Sequence, residues 1–441
     1  MRLILKRFIP LGESRSIFLI VSLAFALRVV VILFLVGDIC DPARDHWNFG
    51  WEEGRISSSI ASGQGFSSPL FGNTGPTAWT NPVYPYLLAG VFRVFGIYSR
   101  ASAWAILTFN CLFSALTCVP VYFIAKRCFD RNSARWAAGI WALFPYSVYF
   151  ASGYVWGFCL DALMLTLVVW GTLAMEREAR LTRWVGYGLL WGAAALTNAV
   201  ILSTLPFLLG WLVWRHARTK SRWLLNSAVA MLLLFVVVSP WFLRNYNTFH
   251  RFIPFRSTFW MIFWEGNTGD MSDLFPDWTN PAHNETEMEA YRLLGEIGYV
   301  DQKKQASMDF LRRYPGLYIR LVAKRFIYTW TGFWSLRKDY LAAEPFTFPH
   351  IALTTTLTAL FLVGAWRAMH FNPDGTLPLL LVLASYPLVY YIAHSGAEYR
   401  HPIDPICVIL IGYLASAVMS RGTRTSVSKI PEEPKSPAFS V

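Results

Sequence analysis

The chain has 441 residues, of which 55% are hydrophobic and only 15% charged, with a mean hydropathy of +0.38. Soluble domains carry about 25% charged residues, and no water-soluble core of this size could hide so much apolar surface, so the composition specifies a polytopic membrane protein. The net charge of +12 sits mainly in short loops, where bases orient a membrane protein instead of marking a nucleic-acid binder, and the six cysteines lack paired spacing, which argues against a disulfide framework or a metal knuckle.

In chain order, ten apolar spans can be marked: 16–36, 101–125, 134–150, 157–175, 184–199, 201–215, 223–243, 350–368, 377–393 and 403–420. Each approaches the roughly 20 residues that cross a bilayer. The first follows a basic N-terminus (Arg2, Lys6, Arg7, Arg15). It is long for a signal peptide and has no A-x-A-like cleavage site, so it reads as a retained helix. Spans 184–199 and 201–215 meet at Asn198 and read either as a hairpin pair or as tilted half-spans. Residues 83–96 are apolar but too short to cross, and read as an interfacial helix.

Lys and Arg in short loops set the orientation. The N-terminus, 126–135, 177–183, 215–222 and the tail are all basic. Ten crossings put every one of them on one side, the cytoplasm, with both termini. The first outer loop (within 37–100), the 151–156 turn, a large block at 244–347 and the 394–401 turn then share the outer side of the plasma (inner) membrane. Residues 303–337 look helical and amphipathic, with Arg313, Arg320 and Lys324 at helical spacing, as suits an interfacial helix. Residues 1–420 form one transmembrane domain, and the polar, proline-containing 421–441 reads as a disordered cytoplasmic tail.

The first outer loop is acidic, with Asp38, Asp41, Asp45, Glu52 and Glu53 against Arg44 and Arg55. A connector between helices needs only a few residues, whereas this one is long, aromatic and punctuated by Gly and Pro. Its carboxylates are candidates for a general base that takes a proton from an acceptor hydroxyl. The bland alternative for Glu52 and Glu53 is that they complement a helix dipole. Asp161 opens an otherwise uncharged span, and an ionisable group there is a functional candidate unless it merely snorkels to the interface. Arg244, after Pro240-Trp241, could clamp a phosphate through its planar fork or simply anchor the interface. Glu398-Tyr399-Arg400-His401-Pro402 suits anion recognition or is an ordinary polar turn. Glu265 in Trp264-Glu265-Gly266-Asn267 could supply another cavity acid, and Lys324 and Arg325 are further cationic candidates. No P-loop, G-x-S-x-G, H-E-x-x-H or paired C-x-x-C occurs, which argues against an ATPase, a serine hydrolase and a zinc protease.

Taken in this order, several motifs resemble those of the GT-C membrane glycosyltransferases of the dolichyl/polyprenyl-phosphate-mannose protein mannosyltransferase superfamily, to which the lipid A aminoarabinose transferase is related. They are the acidic first loop, Gly63-Gln64-Gly65-Phe66, Asn81-Pro82-Val83-Tyr84-Pro85, Pro240-Trp241 with Arg244-Asn245-Tyr246, Gly266-Asn267, and Tyr399-Arg400-His401-Pro402. The resemblance implies an all-α GT-C-type bundle of about ten transmembrane helices with interfacial helices in its outer loops. It also implies transfer of a hexosyl or pentosyl unit from a polyprenyl-phosphate donor to a lipid, polysaccharide or protein acceptor, typically with inversion. A loop carboxylate would activate the acceptor: Glu52 first, with Glu53, Asp45 and Asp161 as assisting or alternative acids. Arg244 and Arg400 would hold the phosphate, supported by Tyr84, His401, Lys324, Arg325 and Asn267. The chain departs from the superfamily in placing its acids about one helical turn later than usual, and in having Asn81 where relatives often carry Lys. No cofactor is demanded, although some relatives bind a divalent cation between loop acids, a role Glu52 and Asp161 could fill. The rival from another class is a transporter or flippase for a lipid-linked saccharide, which would place ionisable groups at mid-membrane and often shows repeated halves.

Overall fold

The computed structural model describes residues 11–39, 49–176, 178, 180–216, 223–268, 279–335, 338–343 and 346–427. Among them the chain is helical, without strands, and eight helices are long and apolar enough to cross a membrane. The chain is an integral, multi-pass membrane protein. All ten spans read from the sequence coincide with helices. The two outside the eight are 184–199, which is the 17-residue helix Leu181–Thr197, and 134–150, which is broken into the helices Arg131–Leu143 and Pro145–Gly153.

The helices that position the site are α1 (Leu11–Ile39), α2 (Trp51–Ala61), α3 (Val83–Phe95), α4 (Arg100–Leu116), α5 (Cys118–Cys128), α6 (Arg131–Leu143), α7 (Pro145–Gly153) and α8 (Phe158–Met175). The second half adds α9 (Leu181–Thr197), α10 (Leu205–His216), α11 (Trp223–Phe249), α12 (Phe259–Asn267), α13 (Glu285–Arg313), α14 (Pro315–Thr331), α15 (Lys338–Ala343), α16 (Thr347–Phe371), α17 (Pro373–Ser385), α18 (Leu388–Ile392), α19 (Ala397–Arg400) and α20 (Asp404–Val427).

The break between α6 and α7 has a local cause. Pro145 has no N–H, so the Trp141 carbonyl four residues earlier loses its helical donor. In lipid an unsatisfied carbonyl is costly. The Phe144 N–H and Ser147 Oγ donate to the Trp141 carbonyl instead, at 3.2 and 3.1 Å, and Arg28 of α1 adds to them. Its guanidinium donates to the Trp141 carbonyl at 3.1 Å, to the Ala142 carbonyl at 2.9 Å, and to Ser114 Oγ at 2.9 Å and Ser147 Oγ at 2.6 Å. It is fully buried. Arg28 thus ties α1 to α4, α6 and α7 at the proline break.

The basic loops gather at one end of the bundle. Glu13 accepts from Tyr122 at 2.7 Å and pairs with Lys126 at 2.7 Å. Glu176 pairs with Arg127 at 2.7 Å and with Arg215, which also reaches Asp374 at 2.7 Å. Tyr413 of α20 stacks on Phe129, with ring centroids 4.3 Å apart. Both described ends of the chain therefore lie at this end. The first loop, the 154–157 turn, α12, α13 and the turn before α20 lie at the other.

There α3 is a short apolar helix, as its sequence predicts. The amphipathic 303–337 stretch is divided between α13 and α14 at Tyr314-Pro315, where the proline opens a new helix. Arg313, Arg320 and Lys324 are exposed on it. The last helix continues to Val427, so 421–427 of the expected tail are helical. The rest of that tail, with Asp45, Arg218, Lys220, Arg222 and Arg337, lies outside the described residues.

Candidate active site

The acidic corner begins with backbone strain. Gly50 has φ 94°, and a Cβ there would meet the Val155 carbonyl at 2.9 Å. Trp51 follows at φ 43°, a left-handed conformation that costs a bulky residue about 1–3 kcal/mol and persists only where the surroundings enforce it. They do: its indole stacks on Tyr154 at 5.7 Å and meets Trp156 edge-on at 5.5 Å. This turn starts α2, so Glu52 and Glu53 occupy the first helical turn, where the helix dipole favours carboxylates. Ser57 Oγ ties α2 to α3 by donating to the Pro85 carbonyl at 3.0 Å.

From that turn the two glutamates face two adjoining cavities of about 320 and 430 Å³. Glu52 lines the outer one with Trp51, Trp79, Tyr154, Glu265 and His283. Glu53 lines the deeper one with Asp161, Asn198, Tyr390 and His394. Thr80, Trp156, Phe158, Arg256, Ile262, Glu398 and Tyr399 border both, so the two form one recess. Asp161 accepts from Asn198 Nδ2 at 2.8 Å. Its Oδ1 and the Oε2 of Glu53 are buried without a hydrogen-bond partner among the described residues. Burial, then the Asp161 carboxylate, push the pKa of Glu53 well above the ordinary value, against the pull of Arg256 and a backbone N–H from Gly157.

The bases expected from the sequence do not join this recess. Arg244 donates to the carbonyls of Thr77 (2.5 Å) and Phe66 (2.7 Å), clamping the first loop. Arg325 is fully buried and donates to the Gly266 carbonyl (2.7 Å), Asn267 Oδ1 (3.0 Å) and the Tyr391 carbonyl (2.7 Å). Burial lowers its pKa to about 10. Arg400 pairs with Asp404 at 3.0 Å inside the bundle. His401 is buried there too, stacked on Trp141 at 5.6 Å. Tyr84 is buried and exchanges hydrogen bonds with Asn110 at 3.0 and 3.2 Å, one layer behind Gly157; burial raises its pKa. Lys324 is exposed.

The loops around the recess have a second clamp. Glu296 of α13 accepts from Thr77, from the Ala78 N–H at 2.8 Å and from Ser257 at 2.7 Å, which fixes the first loop to the segment carrying Arg256. Burial raises its pKa, and these bonds pull it back.

Two recess residues escape a sequence reading. Arg256 looks like any base of the large outer block; only the flanking Pro254 hints at a fixed segment. Glu398 stands beside the Arg and His that drew attention in its motif. Glu265, noted in its motif, does reach the outer cavity.

Among the described residues no cluster of three or more His, Cys, Asp or Glu side chains could hold a metal.

The chain's helical bundle, with a carboxylate recess at one end roofed by loops and short helices, matches known proteins over part of its sequence and in its fold. Residues 76–243 match the model of the dolichyl-phosphate-mannose-protein mannosyltransferase family. The oligosaccharyltransferase AglB of Archaeoglobus fulgidus, in complex with an inhibitory peptide and a dolichol-phosphate, aligns at 11% identity with a TM-score of 0.56, over 97% of this chain and 53% of that one. The apo form of the A. fulgidus enzyme aligns at 13% identity and TM-score 0.53, over 96% and 53%. This chain spans about half the length of those structures, and the likeness is one of fold. ArnT from Cupriavidus metallidurans bound to undecaprenyl phosphate aligns at 15% identity over 96% of this chain and 82% of that one, at a TM-score of 0.41, below the level that establishes a shared fold. Among curated proteins no sequence match was found.

Proposed function

We propose that the chain transfers a hexosyl or pentosyl unit from a polyprenyl-phosphate-linked donor to an acceptor hydroxyl at the outer face of the plasma membrane, with inversion. The recess supports this: carboxylates from α2 and α8 and the Arg256 guanidinium, far apart in sequence, line one concavity at the end of the bundle opposite the basic loops. Those basic loops and both described ends then face the cytoplasm by the positive-inside rule.

In this reading the lipid phosphate enters the deeper cavity, whose wall of Val200, Phe255, Phe259 and Val389 suits a prenyl chain. The acceptor enters the outer cavity beside Glu52. Its oxygen attacks the anomeric carbon, and its proton passes to Glu52. The bond from the anomeric carbon to the phosphate oxygen breaks, the electron pair stays on the phosphate, and Arg256 meets the developing charge. A single displacement inverts the anomeric centre. Glu53 is held toward its protonated form by burial and by Asp161, which leaves Glu52, half-buried at the mouth, as the base. Glu53 and Asp161 then act as hydrogen-bonding walls for the donor.

Labelled sugar offered on a panel of polyprenyl-phosphate donors to the purified protein in liposomes should move to an acceptor. Glu52→Gln should lower kcat by about 10²–10⁴-fold with donor binding retained. Wild-type turnover by that variant would remove Glu52 as the base.

A further inference from the structure

The outer cavity also speaks to the acceptor, on the premise that the transferase reading holds. We infer that the acceptor is a carbohydrate free of acidic groups, held face-on against an aromatic wall. That wall runs from Trp51 through Tyr154 and Trp156 to Phe158. Trp51 stacks on Tyr154 at 5.7 Å, and Trp156 on Phe158 at 5.8 Å and 23°. Such faces carry negative quadrupoles that attract the polarised C–H groups on one face of a sugar ring.

Charge narrows the class. Glu52, Glu265 and Glu398 line this cavity against a single guanidinium, Arg256. Carboxylates accept hydrogen bonds from hydroxyls and repel an acidic ligand. A phosphorylated or uronic acceptor would face the Glu52 and Glu265 carboxylates. Shape narrows it further. The space is about 320 Å³, at the small end of ligand sites. A peptide acceptor bound by strand addition needs an open sheet edge. Among the described residues the one bridge, Ser67 with Pro76, does not line the cavity.

The test uses the full chain in detergent, followed by tryptophan fluorescence, since Trp51, Trp79 and Trp156 border the cavity. A neutral oligosaccharide, a uronate-containing oligosaccharide and a Ser/Thr-rich peptide are titrated separately. Saturable binding is expected for the neutral saccharide alone. Trp156→Ala should weaken it about tenfold, while Trp156→Phe, which keeps a ring, restores most of it. Binding of the peptide or the uronate in its place would overturn the inference. So would unchanged saccharide affinity in Trp156→Ala that elutes as a folded protein. Transfer from polyprenyl-phosphate donors, measured in parallel, separates the two readings. Transfer onto the peptide keeps the transferase and removes the saccharide acceptor. Saccharide binding without transfer from any donor keeps the saccharide site and removes the transferase.

Discussion

Replacing Glu53 by glutamine should stabilise the protein at neutral pH. The Glu53 carboxyl is buried, faces Asp161 and leaves one oxygen without a partner, so its pKa stands well above 4.5. The folded state therefore stays protonated where the unfolded chain has already ionised. Each pH unit over which this holds costs about 1.4 kcal/mol of stability. The cost is absent below the unfolded-state value, grows as pH rises, and levels off once the pH passes the folded-state value. Glu53→Gln removes the ionisation from both states and so removes the slope. Thermal unfolding of both proteins in one detergent, from about pH 4 to about pH 8, should show the variant pulling ahead steadily as pH rises. Parallel curves would mean that the folded protein carries Glu53 ionised, with Arg256 outweighing burial. The assignment of Glu52 as the base would then lose its electrostatic argument.

Arg256→Gln should lower kcat with polyprenyl-phosphate donors by about 10²–10³-fold, the effect of removing one donor aimed at developing charge; unchanged donor kinetics would place the phosphate elsewhere. Arg28→Met should cost about 3 kcal/mol or more in a detergent melt, because it removes the buried guanidinium's hydrogen bonds to the Trp141 and Ala142 carbonyls, Ser114 and Ser147. Gly266→Ala drives a methyl group into the Ala393 carbonyl beside the Arg325 clamp. It should lower thermal stability by about 1–3 kcal/mol.

The spans were legible because each is a long apolar run whose length the bilayer sets. The acids that line the recess stand out in the sequence for a related reason: Glu52, Glu53 and Asp161 lie at helix starts beside apolar segments, where a charge is conspicuous. The bases were not. Arg244, Arg325 and Arg400 have the same local surroundings as phosphate-binding arginines. What distinguishes them is that their guanidinia are already engaged, by the Thr77 carbonyl, the Gly266 carbonyl and Asp404 respectively. Those partners arrive from 4 to 167 residues away, and only the folded loops bring the distant ones near. Arg256 reaches the recess for the converse reason. Its segment is pinned by Glu296 through Ser257, a contact that no spacing announces. Arg28 was missed because a single Arg in an apolar run reads as tolerated. Its partners on α4, α6 and α7 are visible only when the helices are seen together.

That partnership bears on how the polypeptide enters the bilayer. The groups that satisfy Arg28 from other helices are encoded 86 to 119 residues after it. At about 5–20 residues per second, the first helix waits on the order of ten seconds during synthesis for them to emerge. Meanwhile its guanidinium sits in lipid at about 3 kcal/mol, or is shielded by the insertion machinery. That corner of the bundle can therefore close once Ser147 has emerged, while the helices from α8 onward are still to be made.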